Sequence, residues 1–118
     1  MKIISEILVI VMALLHIYIL VLEMFLWTTP YGLRAFGQTL ESAQASRVLA
    51  ANQGLYNGFL AAGLLWGVVQ GPAGRPDEIF FLSCIAIAGI YGAATANLKI
   101  LFIQFIPAAI TLGWVLIT

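Results

Sequence analysis

Charge is what this chain has least of: five Lys+Arg and five Asp+Glu make up only 8% of its 118 residues. A soluble domain carries roughly 25% charged residues, so the chain lacks the side chains to cover a water-facing surface. A hydrophobic share of 63% and a mean hydropathy of +1.07 agree. There is no basic excess either. Formal net charge is zero, which excludes a nucleic-acid binder, since that needs a basic patch or stripe. It equally excludes a polybasic protein held on an anionic membrane surface. Histidine occurs once, at His16, which argues against a His-rich metal site, and with no metal-ligand cluster in the sequence we expect no metal. Cysteine also occurs once; Cys84 has no intramolecular disulfide partner and reads as an ordinary packed residue in an apolar run. What remains is an all-α integral membrane protein of one domain.

A transmembrane helix needs about 20 mostly apolar residues, and the chain divides into four such stretches, predicted at residues 7–27, 48–69, 79–97 and 100–117. The architecture expected is an up-down-up-down four-helix bundle. Thr28-Thr29-Pro30 ends the first span, because proline disfavours helix at the residue before it; Trp27 and Tyr31 suit the headgroup level. No small-x-small cleavage site follows the first apolar run, so it reads as a retained span rather than a signal peptide. Residues 28–47 form the longest polar stretch, with Leu33, Phe36 and Leu40 at the spacing of one interfacial helix. Gln70-Gly71-Pro72-Ala73-Gly74-Arg75-Pro76 is the strongest loop signal, and Asp77 and Glu78 suit the helix N-terminus that follows. Pro107 lies inside the fourth span and is expected to kink it. Arg34, Arg47 and Lys99 fall in loops one and three, against Lys2 and Arg75 on the other side. That margin of one favours loops one and three as cytoplasmic and leaves dual insertion open.

Polar side chains inside a bilayer need a reason, either a helix–helix hydrogen bond or a functional cavity. Span one carries His16 and Glu23, seven residues apart and so nearly on one face, with Trp27 continuing it. Span two carries Asn52, Gln53, Tyr56 and Asn57; span three Tyr91 and Thr95; span four Gln104. Up-down order places nearly all of these within about three turns, roughly 15 Å, of the loop-one face, with His16 deepest. The opposite half is expected to be nearly pure hydrocarbon. This pattern suggests a polar pocket in one leaflet, roofed by loop one. Glu23 and His16 are the candidate acid–base pair. Asn52, Gln53, Tyr56, Asn57, Tyr91, Thr95, Gln104, Arg47 and Trp27 are the candidate ligand-binding residues. The alternative is that the amides only tie helices together. Gly54/Gly58, Gly63/Gly67 and Gly89/Ala93 are small-xxx-small pairs that let backbones approach.

Leu22-Glu23-Met24-Phe25-Leu26-Trp27, Asn52-Gln53-Gly54-Leu55-Tyr56-Asn57-Gly58-Phe59-Leu60-Ala61, Tyr91-Gly92-Ala93-Ala94-Thr95 and Gln104-Phe105-Ile106-Pro107-Ala108-Ala109 resemble the small bacterial membrane family catalogued as domain of unknown function 1304. The resemblance covers essentially the whole chain. It implies four spans and a bacterial inner-membrane location, and brings no established activity. Arg47-Val48-Leu49-Ala50-Ala51-Asn52-Gln53, with Phe59-Leu60 and Leu65-Trp66, is similar to the start of the second span in the MAPEG superfamily. That likeness implies a trimer with its site at the loop-one end, and raises glutathione as a cosubstrate. The catalytic branch of that superfamily has a second arginine where this chain has Ala50, and an arginine in span four that is absent here. Glutathione's two carboxylates need cationic partners, and only Arg47, with Arg34 or Lys99, is available. No cofactor is therefore expected.

Two functions follow as expectations. One is a homo-oligomeric membrane protein that binds a lipid or small amphipathic molecule and acts on it through Glu23. The other is a proton-coupled exporter, whose carboxyl must lie near the midplane; a structural membrane protein without ligand is the third course.

Overall fold

The computed structural model describes residues 2–118, and these are helical with no strand among them. Six α-helices follow in order: α1 (Lys2–Met24), α2 (Pro30–Phe36), α3 (Leu40–Ala45), α4 (Arg47–Val69), α5 (Arg75–Thr95) and α6 (Ile106–Ile117). A 3-10 turn at Gly71–Gly74 leads into α5, and a π-helical turn at Leu101–Phe105 leads into α6. Two stretches are long and apolar enough to cross a membrane, Lys2–Met24 and Gly71–Thr95, and only 28% of the apolar window of each is buried. α4 is as long as α1, 23 residues, but Asn52, Gln53, Tyr56 and Asn57 dilute its apolar content. The apolar stretch Leu101–Ile117 is shorter.

The chain forms two units, one of residues 1–13 and 62–118 and one of residues 14–61, with the boundaries inside α1 and α4. In the first, Val9, Leu64, Leu82, Ile85, Ala108 and Val115 are buried. α5 and α6 make an antiparallel hairpin whose turn is closed by Asn97: its Oδ1 accepts from Lys99 N at 2.8 Å and its carbonyl from Ile100 N at 3.0 Å. Close approach in the hairpin requires Gly89, where a Cβ would lie 2.8 Å from Phe105 N and 2.9 Å from Phe105 Cα. At the start of α5, Gln70 Nε2 donates to Asp77 Oδ2 at 2.6 Å.

Several predicted boundaries move. The first span was expected to continue to Trp27, but α1 stops at Met24, where Phe25 N and Leu26 N both donate to Val21 O. The single interfacial helix expected in loop one is two short helices. Gly37, at φ 63°, ends α2 in the left-handed conformation that glycine adopts without a Cβ penalty. Thr29 and Thr39 cap α2 and α3, accepting from Gly32 N at 3.2 Å and Ser42 N at 3.1 Å. α5 begins at Arg75, four residues before the expected start, because Pro76 in the first turn is compatible with helix there. The expected mid-span kink at Pro107 is instead resolved as a π-helical turn. Ile106 N–H reaches back to Leu101 O, and Pro107, directly after the π-helical turn, stands at the start of the regular turns of α6 with no N–H to donate.

Candidate functional site

In the unit of residues 14–61, the last turns of α1 meet the first half of α4. Gly54 permits this: a Cβ there would lie 2.5 Å from Met24 Cγ and 3.2 Å from Glu23 Cβ. Asn57 follows Gly54 by three residues and so faces the same way. Its Nδ2 donates to Glu23 Oε1 at 2.7 Å and, within α4, to Gln53 O at 3.1 Å. Glu23 and Asn57 are both half-buried. A carboxylate can accept roughly four hydrogen bonds, and Asn57 is the one hydrogen-bond partner of Glu23 among the described residues. The group is thus held in place with acceptor capacity to spare.

The remaining residues expected at the site divide clearly. Trp27 lies against loop one: its Nε1 donates to Ser46 Oγ at 3.2 Å and its ring centroid is 4.7 Å from that of Phe36. Tyr18 and Tyr31 are joined through their hydroxyls. Gln53 and Tyr56 are exposed on α4, Tyr56 against the Phe59 ring, with centroids 6.3 Å apart. The Asn52 amide donates back to Val48 O at 3.1 Å, within its own helix. Arg47 is the exposed first residue of α4. His16 is fully buried and lies two turns, about 10 Å along the axis, from Glu23, too far for the pair to exchange a proton directly. Tyr91, Thr95 and Gln104 belong to the other unit. There Tyr91 is exposed, Thr95 Oγ1 donates to Tyr91 O at 2.7 Å, and Gln104 Nε2 donates to Ile85 O at 3.4 Å, tying the π-helical turn to α5.

A cavity of about 250 Å³ lies at helix ends, lined by residues that, Val115 apart, fall outside the predicted spans. It is in the unit containing residues 1–13 and 62–118, where α1 and α5 begin and α6 ends. Lys2, Ser5, Glu6, Arg75, Glu78 and Thr118 line it, with Val115. The sequence carried part of the signal, Asp77 and Glu78, which its reading places as N-terminal residues of the helix and not as part of a site. Among the described residues no three of His, Cys, Asp and Glu gather to hold a metal ion.

A family profile described as Protein of unknown function (DUF1304) matches residues 10–116, and the chain belongs to that family. It is 33% identical over 106 residues to "Uncharacterized protein YpaA" of Lactococcus lactis, an alignment covering 88% of this chain and 89% of that protein. No solved structure matches.

Proposed function

We propose that this chain is an integral membrane protein crossing the bilayer four times, and that it binds the polar head of a small lipophilic or amphipathic molecule at Glu23 and Asn57. The membrane reading is supported by an inverted distribution of polarity. Ser5, His16, Glu78 and Thr111 are buried, whereas Ile7, Phe59, Val69, Phe80, Ile87 and Ile117 are more than half exposed. In water such exposure marks an interaction surface or an aggregation liability; in hydrocarbon it is the ground state. α4 has the length of a span, and the amides of Asn52 and Asn57 have partners within the protein. Leu101–Ile117, at 17 residues, is near the lower limit of about 17 for a span.

The observation that carries the binding reading is the hydrogen bond from Asn57 to Glu23 across α1 and α4. A carboxylate inside a span is costly and signals function by default; this one is oriented yet unsaturated. Glu23 would take or give the proton in any reaction, while Asn57, with Gln53 and Tyr56 beside it on α4, would orient the ligand's head. No resident cofactor is needed for this, and Arg47 alone in this unit's α4 offers too little positive charge for glutathione's two carboxylates. On the MAPEG-like plan the chain assembles as a homotrimer, with loops one and three cytoplasmic in a bacterial inner membrane.

Mass spectrometry of small molecules retained by the purified protein tests the site. Wild type is expected to carry an amphipathic ligand that Glu23→Gln loses at least tenfold; equal retention by the variant rejects the assignment. Topology is read on a Cys84→Ala background. Gln38→Cys and Asn97→Cys should label from one side of sealed vesicles and Ala73→Cys from the other. An antiparallel dimer in place of the trimer would favour a proton-coupled exporter.

A further inference from the structure

We infer that the cavity between the starts of α1 and α5 and the end of α6 is a second binding site, for a zwitterion bearing a primary ammonium and a phosphate. It is independent of Glu23. Its floor is buried: Ser5 is 4% exposed, Glu78 6% and Val115 2%. Its rim is exposed, with Lys2, Arg75 and Thr118. The hydroxyls on one wall are satisfied, since Ser5 Oγ and Thr118 Oγ1 are 2.5 Å apart and Thr118 Oγ1 also donates to Trp114 O at 2.9 Å. Arg75 Nη2 donates to Leu116 O at 3.0 Å, capping the end of α6; a guanidinium has five N–H donors, so most remain for a ligand.

Glu78 is the exception. It is more than nine-tenths buried, lines the cavity, and makes no hydrogen bond or ion pair among the described residues. Its electrostatic neighbours are Glu6, Lys2 and Arg75. Its oxygens are open to the cavity and not sealed off, and the complement to a carboxylate with no hydrogen-bond donor there is a compact group with several N–H donors. An ammonium fits that requirement, and Glu6 adds a second carboxylate on the same lining. Lys2 and Arg75 are the cations that neighbour Glu78; an ammonium seated on Glu78 takes over that role, and the two cations at the rim then call for an anion at the ligand's other end. Two negative and two positive side chains on the lining match a ligand that is itself neutral overall but carries both signs. At about 250 Å³ the space exceeds by far what one water requires and suits a group of phosphoethanolamine size.

That chemistry comes from a phosphatidylethanolamine headgroup or from a free phosphoethanolamine. The full chain, reconstituted in nanodiscs, separates the sources. One arm compares retention of phosphatidylethanolamine, phosphatidylcholine and phosphatidylglycerol by native mass spectrometry. The other titrates O-phosphoethanolamine into phosphatidylcholine nanodiscs by calorimetry. Preference for phosphatidylethanolamine by tenfold or more assigns the lipid; saturable binding of the free compound alone assigns the soluble molecule. Either supports the site provided that Glu78→Gln, near-isosteric and uncharged, weakens it at least tenfold and Glu23→Gln does not. Lys2→Ala, at an exposed position that leaves folding intact, should weaken O-phosphoethanolamine several-fold and leave ethanolamine unchanged. Equal retention of all three lipids together with no binding of the free compound overturns the proposal, as does binding indifferent to Glu78→Gln.

Discussion

At the scale of single residues, the amides of α4 differ in what they hold. Asn57 bridges to Glu23 on α1, whereas Asn52 bonds only within its own helix. Hydrogen bonds between membrane helices contribute about 0.6 kcal/mol on average and up to about 1.7. Asn57→Leu should therefore lower stability by about 1 kcal/mol in mixed-micelle unfolding, and Asn52→Leu should stay within about 0.5 kcal/mol of wild type. A loss as large at Asn52 as at Asn57 would mean that α4 depends on polarity generally and not on this contact. Glu23→Gln keeps an acceptor oxygen for the Asn57 amide. Its stability should remain near that of wild type, so that lost ligand in this variant reports the missing charge and not a disturbed fold.

Among the elements, the α5–α6 hairpin is held by close backbone approach. A methyl group at Gly89 would meet the Phe105 backbone, while one at Gly113 would meet nothing within 4 Å. Backbone cannot move aside as a side-chain tip can, so Gly89→Ala should destabilise by about 1–3 kcal/mol. Gly113→Ala, in the interior of α6, should be neutral or stabilising by up to about 1 kcal/mol through helix propensity. Unfolding of the two variants side by side checks the packing, and equal effects would deny the contact. The π-helical turn before α6 has its own logic. It takes up the register change that Pro107 demands and presents Gln104 to the Ile85 carbonyl of α5.

For the molecule as a whole, the decisive quantity is which medium surrounds its exposed apolar side chains. Cys84 lies nine residues into α5, about 14 Å from its start, and is partly exposed. In a bilayer a thiol at that depth is cut off from water and from a charged, water-soluble reagent. We expect no labelling by a charged maleimide in intact membranes, full labelling after denaturation, and ready labelling of Ala73→Cys at the α4–α5 turn in a Cys84→Ala background. Labelling of native Cys84 in sealed membranes would argue that α5 does not cross.

Apolar content and period determined much of this from the sequence alone: the all-helical class, the long helices and the break near Gly71–Pro76. Both reflect local rules, since a run of apolar side chains and a Gly-Pro cluster act wherever they occur. The partnership of Glu23 with Asn57 was legible only as shared depth; a hydrogen bond also needs rotation about two helix axes, and Gly54 sets that. The separation of His16 from Glu23 shows the opposite case, a shared face without contact, because two turns of helix outdistance the side chains. The split of loop one at Gly37 turned on one residue's φ, which helical spacing does not reveal. Charge, scarce from the outset, placed Glu78 correctly in the first turn of α5, but only the packing of α1, α5 and α6, with α1 residues more than 70 positions away in sequence, decided that it is buried.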